Sequence, residues 1–354
     1  KLNTASDGQI NIGHEAGATS TNAYDVHIGY NAGKNSEPGS ASANVAIGKD
    51  AMLGVAASTT SFASVAIGTS ALKAVTGGDR LIGIGFEAGE AHTSNSSSIY
   101  IGYQAGTNAN SSNTVVVGAG ALDALVGSWN SHCVVGEDAC TATTSKNEHH
   151  AFGFEALRSQ TSGERNSAFG AESLELLTTG VDNSAFGHNV GDKVTGDQNT
   201  LIGSSAGSSG SNDLTSGDNN ILIGYNAAAT SATVDNEITL GNSSIATLRC
   251  QVTSITALSD KRDKENIQIS NYGLDIVDKL KPVTFDWNTR DGAKVGVKDL
   301  GFIAQDLQEV DDENLKLVYD NNPEKLEASY GRLVPVLVKA IQELKAEIEL
   351  LKSK

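Results

Sequence analysis

An apolar residue followed by glycine returns along most of this chain, at Gly13, Gly29, Gly48, Gly68, Gly85, Gly102, Gly118, Gly136, Gly153, Gly170, Gly187, Gly203, Gly224 and Gly241. Successive gaps run from 16 to 21 residues and centre on 17. A period this short has room for one strand, a turn and a loop. The clearest units read "NSAFGAESLELLTTGVD" and "NSAFGHNVGDKVTGDQ". Four or five residues of period-two character lead into each glycine, which predicts a strand and not a helix. Repeated at this spacing, such strands predict a β-solenoid or β-roll with one coil per repeat. A Gly-x-x-Asn step ending at Asn166, Asn183, Asn199 and Asn220 predicts a turn before the anchor.

The core offered by each coil is thin: an Ile or Phe, an Ala or two, sometimes a Leu. So little apolar area per residue barely offsets the entropy of ordering a lone chain. The expectation is therefore a mainly β, homotrimeric fibre in which several chains share each layer. The anchor glycines would let backbones approach closely near an axis.

Several side-chain patterns in the array bear on chemistry. Two residues after the anchor, carboxylates recur at Glu15, Asp50, Glu87, Asp138, Glu155 and Glu172. A cation site or a glycosidase pair would use such a column. Asn, Gln, Ser and Gly fill the same slot elsewhere, which favours a solvated outer face. "GIGFEAG" at 83–89 has the wrong glycine spacing for a dinucleotide loop and lies inside the repeat. His149 and His150 lack a third ligand at metal spacing and are expected in a solvated loop. Cys133, Cys140 and Cys250 are too few for a disulfide framework and read as buried, reduced thiols. No cofactor and no metal is expected.

Charge sets further bounds. The net charge is −17, and residues 1–258 hold 10 Lys and Arg against 23 Asp and Glu. An acidic surface repels phosphate, so nucleic acid is excluded as a partner. No apolar run approaches the ~18 residues of a bilayer span, so membrane insertion is not expected. The first residue is Lys1 and not Met, so the chain reads as a fragment or a processed product.

The pattern breaks at "ALSDKRDKENI", where six charged residues stand side by side from Asp260 to Glu265. Pro282, Pro323, Pro335 and Trp287 all lie beyond it. This composition shift divides the chain into a repetitive fibre (1–250), a junction (251–258) and a small α+β module (259–354). Within the module, Leu274, Val277 and Leu280 have helical spacing, "VTFDW" alternates as a strand, and "VGVKDLGFIAQDLQEV" reads as a strand and a short helix. Val334, Leu337, Ile341, Leu344, Ile348 and Leu351 follow the 3-4 spacing of a coiled coil over 334–351. Val338 and Ala340 widen the stripe, which suits more than two strands or packing onto the module body. Glu347 and Lys352 occupy positions that pair between parallel chains.

The array resembles the trimeric left-handed β-roll repeats of adhesin heads, whose units also read "xAIGxxA", and the repeats common in bacteriophage tail fibres. A second resemblance is more specific. "SDKRDKENI", "YGLDIVDKLKPVTFDW", "GFIAQDLQEV" and "YGRLVPVLVKAIQELKAEIELL" are similar, in order, to the C-terminal intramolecular chaperone of endosialidases and many phage tail fibres. That resemblance implies a module that trimerises, guides folding of the β-structured stalk before it, and then cuts itself off with a Ser–Lys dyad. Ser259 and Lys264 match the Ser-Asp-x-Arg-x-Lys pattern, with Asp260 and Arg262 as its other members. The implied nucleophile is Ser259, the base Lys264, and the scissile bond Leu258–Ser259. Lys261 and Arg262 are adjacent cations of the kind that favours a neutral lysine. Without that match, a serine followed by charges reads as a helix N-cap with a solvated first turn.

The expectation is thus a phage tail-fibre segment for host-surface adhesion. Its partners would be two further copies of itself, a host cell-surface glycan or protein receptor, and other tail proteins upstream. It would fold in the host bacterial cytoplasm and reside in the virion. No external substrate is expected. The rival readings are a cellular trimeric adhesin head, which would need a membrane-anchoring barrel, and a polysaccharide-degrading tailspike.

Overall fold

The computed structural model describes all residues except 1–7, 21–23, 36–42, 55–61, 126–130, 145–147, 209, 211, 250, 252–256, 291 and 293. The chain separates into two compact units, Lys1–Asn242 and Ser243–Lys354. Most of the expected junction 251–258, and Cys250 with it, lies outside the described residues.

The first unit is a β-solenoid. Among the described residues it has fourteen strands, from β1 (Ile10–Ile12) to β14 (Ile238–Leu240), each three residues long. Each strand pairs in parallel with the next, in chain order. The register is strict: Ser167, Ala168 and Phe169 stand opposite Ser184, Ala185 and Phe186. The strands are shorter than the four or five residues expected, because the glycine after each one leaves extended backbone. Gly153 has φ +147°, and a Cβ there would stand 2.3 Å from the carbonyl oxygen of Gly170 in the next coil. The anchor glycines therefore stack coil on coil within one chain. Their close approach is between successive coils of the repeat.

The interior is filled by volume matching. The central residue of each strand points inward, and so does the fourth residue after the anchor glycine. Where the strand centre is Ala46, Ala66, Ala151 or Ala168, the other slot holds Met52, Leu72, Leu157 or Leu174, all fully buried. Where the centre is His27, Tyr100 or Leu201 the other slot is Gly33, Gly106 or Gly207. A Cβ at Gly33 would meet the His27 ring at 2.2 Å, and one at Gly106 would meet the Tyr100 ring at 2.4 Å. These coils therefore trade volume between the two slots, and where both are small, as at Ala185 and Gly191, Leu201 of the next coil fills the space, as close packing requires. Within a single chain these interior positions are already out of water, so the thin core expected from composition is nonetheless complete. Cys140 belongs to it, and burial pushes its thiol up to about 12. Cys133 opens a strand and is half-buried.

The Gly-x-x-Asn asparagines do more than mark turns. Asn166, Asn183, Asn199 and Asn220 are fully buried and form a ladder. Asn183 Nδ2 donates to the Gly196 carbonyl at 2.9 Å, while its Oδ1 accepts the backbone N–H of Asn199 at 2.9 Å. Each rung thus satisfies one donor and one acceptor that the turn would otherwise bury unpaired. Asn183→Ala is expected to cost about 1–3 kcal/mol. Faster amide exchange at Asn199 checks this, with the distant strand β2 (Val26–Ile28) unchanged.

The residue two after each anchor is left-handed: Glu15, Asp50, Glu87, Asp138, Glu155 and Glu172 have φ between 54° and 57°. This backbone is why Asn31, Gln104 and Asn226 share the slot, since short polar side chains tolerate it best. Neighbours often alternate in charge. Asn31 Nδ2 donates to Asp50 Oδ1 at 2.9 Å, and Gln104 Nε2 to Glu87 Oε2 at 2.8 Å. Among the described residues no three His, Cys, Asp or Glu side chains converge as a metal site.

His149 departs from expectation. It is fully buried at the ladder position, one coil before Asn166, and only His150 reaches the outside, as the first residue of β9 (His150–Phe152). A sequence reading sees two adjacent polar residues. The fold sends one inward and one outward, because side chains alternate as the strand begins.

The second unit is a small α+β body. The hairpin of β15 (Val283–Asn288) and β16 (Val295–Gly301) is antiparallel, as is the short pair β17 (Val318–Tyr319) and β18 (Glu327–Ala328). The helices are α1 (Leu274–Val277), α2 (Ala304–Gln308) and α3 (Leu333–Lys352). Ile276, Leu307, Leu315, Leu317, Leu333 and Val336 form its core. Glu343 ties α3 to α1 by accepting the Leu274 N–H at 2.8 Å, which supplies a partner for a bare helix start.

Candidate functional site

The described chain resumes at Ala257, and Leu258 is 82 % exposed. The five-residue gap from Ser259 to Lys264 is bridged by one short turn. Asp260 caps a 3₁₀ turn, Lys261–Asp263, by accepting the Arg262 N–H on Oδ1 at 2.8 Å. The turn ends when the Lys264 N–H donates to the Lys261 carbonyl at 3.2 Å. Lys264 then returns to extended backbone, and its side chain folds back over the turn. Its Nζ donates to Ser259 Oγ at 2.6 Å.

The serine cap expected for a bare reading of "SDKRDK" is absent, because Asp260 takes that role. Ser259 is thereby left to Lys264. Arg262 grips Asp260 through Nε at 3.1 Å and a terminal nitrogen at 2.6 Å. The guanidinium and the Arg262 N–H together hold the Asp260 carboxyl below the usual carboxylate range. Arg262 thus braces the turn through Asp260, and part of its charge is matched there. Both members of the Ser–Lys pair are exposed in the single chain.

The stripe on α3 sorts into two faces. Leu333, Val336 and Ala340 are buried against the body of the unit. Val334, Leu337, Ile341, Leu344, Ile348 and Leu351 stand between 44 % and 68 % exposed on the remaining surface. The widening at Ala340 is therefore packing onto the module.

One surface was not anticipated. The first and third residues of the solenoid strands face outward and carry mostly Ile, Val or Phe. Ile67, Ile101, Phe186, Ile202 and Ile223 remain exposed on this face. Phe152, Phe169 and Phe186 stack in file, with ring centroids 4.8 and 4.7 Å apart. The sequence signal was present, as apolar residues on both sides of the buried strand centre.

Residues 259–316 match the family model described as chaperone of endosialidase, and the match begins at Ser259 itself. No curated protein and no solved structure matches the chain. A β-solenoid followed by a segment that matches this family model fits a tail fibre or tailspike with a C-terminal chaperone domain, and residues 259–316 of the second unit are similar to the chaperone of endosialidase.

Proposed function

We propose that this chain is the host-adhesion segment of a bacteriophage tail fibre, whose second unit drives trimerisation and folding and then releases itself by cutting Leu258–Ser259. The observation that carries the reading is the 2.6 Å hydrogen bond between Lys264 Nζ and Ser259 Oγ, at the first residue of the family match. Lysine acts as a base from its neutral form, which burial or neighbouring cations favour. Assembly of three copies is the step that would cover this exposed pair.

The reaction balances without a cofactor. Ser259 Oγ attacks the Leu258 carbonyl carbon and its proton passes to Lys264 Nζ. The Leu258–Ser259 C–N bond breaks, and the proton moves on to the departing Ser259 amine. Leu258 is then held as an ester on Ser259 Oγ. Water hydrolyses that ester, giving a Leu258 carboxylate and a free Ser259 hydroxyl.

Two apolar surfaces support association of three copies. One is the exposed stripe of α3, and the other is the outward face of the solenoid sheet. Contiguous apolar surface of this kind marks an interaction site. The same reading places the solenoid in the virion, joined to tail proteins upstream and meeting a host-surface glycan or protein receptor, after folding in the bacterial cytoplasm.

Intact-mass analysis of freshly expressed chain tests the cut: products ending at Leu258 and starting at Ser259 are expected, and a chain that stays whole overturns self-cleavage. Light scattering tests assembly, with three chain masses expected. The double change Leu337→Asp with Ile341→Asp should give a monomer, since each buried aliphatic side chain contributes roughly 2 kcal/mol.

A further inference from the structure

The Asn ladder breaks in mid-array. At the position held by Asn166, Asn183, Asn199 and Asn220, the two preceding coils carry His132 and His149. These lie just before β8 (Cys133–Val135) and β9, at 1 % and 0 % exposure. Their rings pack at 5.5 Å between centroids, tilted by 33°. Among the described residues none of their four ring nitrogens has a hydrogen-bond partner. Elsewhere in the array buried histidines are partnered. His92 meets Tyr100 Oη and the Asn95 carbonyl, and His27 meets Asn11 with the Asp25 carboxylate 3.9 Å away.

We propose that His132 and His149 form an acid-sensitive break point, at which the solenoid opens between coils while its neighbours stay folded. A buried imidazole without partners is tolerated while neutral. A buried imidazolium without an acceptor is not. The ionisable groups around the pair offer no relief. Cys140 keeps its proton, His150 is a further cation on the outside once protonated, and among the described residues neither ring has a carboxylate within ion-pair reach. Burial first, and the neighbouring histidines second, hold His132 down to about 4 and His149 down to about 3. In the open coil both return to the ordinary value near 6.5. The open state therefore takes up protons below pH ~6.5 that the closed state refuses, so stability is full above that value and falls as pH drops towards 4. Each histidine raises the open fraction about tenfold per pH unit in this window. Because each coil touches only its neighbours, the loss stays local.

Hydrogen exchange on the full chain, corrected for intrinsic rates and followed from pH 7 to pH 4, tests this. Segments covering β8 and β9 should lose protection first, while β10 (Ser167–Phe169) and β11 (Ser184–Phe186) keep theirs. His132→Asn with His149→Asn, which continues the ladder, should hold β8 and β9 closed through the same range. His150→Asn leaves both buried rings in place, so β8 and β9 should still lose protection first, with the onset moved only slightly to lower pH. Loss of protection spread evenly over all coils overturns the proposal, as does a double variant that opens at the wild-type pH. Should the double change fail to fold, His149→Asn alone adds one rung beside Asn166 and carries the same comparison, with about tenfold less opening per pH unit expected.

Discussion

Ser259→Ala is expected to yield only the full-length chain, where the proposed cut of the wild type would give fragments 1–258 and 259–354. The change removes one oxygen and nothing that the turn depends on, since Asp260 and not Ser259 supplies the cap. The folded module, its core and its α3 stripe should be indistinguishable from wild type by circular dichroism. Lys264→Arg keeps the positive charge but replaces a group able to act as base with one that stays protonated. Slowing of about 10²–10⁴-fold is expected there, the usual weight of a general base. Asp260→Asn weakens the cap and the Arg262 clamp while sparing both reacting groups. A loss near 1 kcal/mol in turn stability, and so a cut slower by up to about tenfold, follows. Equal rates for Lys264→Arg and wild type would remove Lys264 from the chemistry, and cleavage of Ser259→Ala would remove Ser259.

Gly153→Ala is expected to force two coils of the solenoid apart. The added Cβ would sit 2.3 Å from the Gly170 oxygen and 2.4 Å from its carbon. Both are backbone atoms held by the ladder, and Gly170 donates its own N–H to Phe152 at 2.7 Å. Neither side can yield without parting two coils. A cost of about 4 kcal/mol or more is expected, in the range reserved for backbone clash or a broken core. Gly207→Ala is the control. Its Cβ would find Leu201 methyls at 3.5 Å, an ordinary contact, so only the left-handed backbone is strained. That cost is about 1–2 kcal/mol. Thermal melts of the two variants should separate clearly, and similar midpoints would mean that coil-to-coil glycine stacking is not what fixes the repeat.

Much of this was legible in the residues. The glycine period fixes one coil per repeat, because a strand, a tight turn and a loop fill about 17 residues in only one economical way. The strand, hairpin and helix signals of the second unit, and the order of motifs from Ser259 onward, lie in local patterns of one to three turns. The exposed a/d stripe of α3 is equally a matter of spacing.

Other features depend on which residues meet across coils. The matching of Ala46 with Met52, and of Tyr100 with Gly106, appears only when the coil closes and sets both side chains in one interior space. The asparagine ladder needs a residue 16 to 21 positions away as its partner, so a turn signal in one dimension became a hydrogen-bonded column in three. His149 and His150 are neighbours in the chain but lie on opposite sides of the sheet. Ser259 and Lys264 were named by motif, yet only the Asp260-capped turn brings Nζ to 2.6 Å from Oγ. The sequence by itself determined the repeat and the order of elements, since these follow from short-range periodicity and backbone preference. The tertiary structure alone decided which side chains are buried together, because burial is a property of the closed coil and not of any stretch of chain.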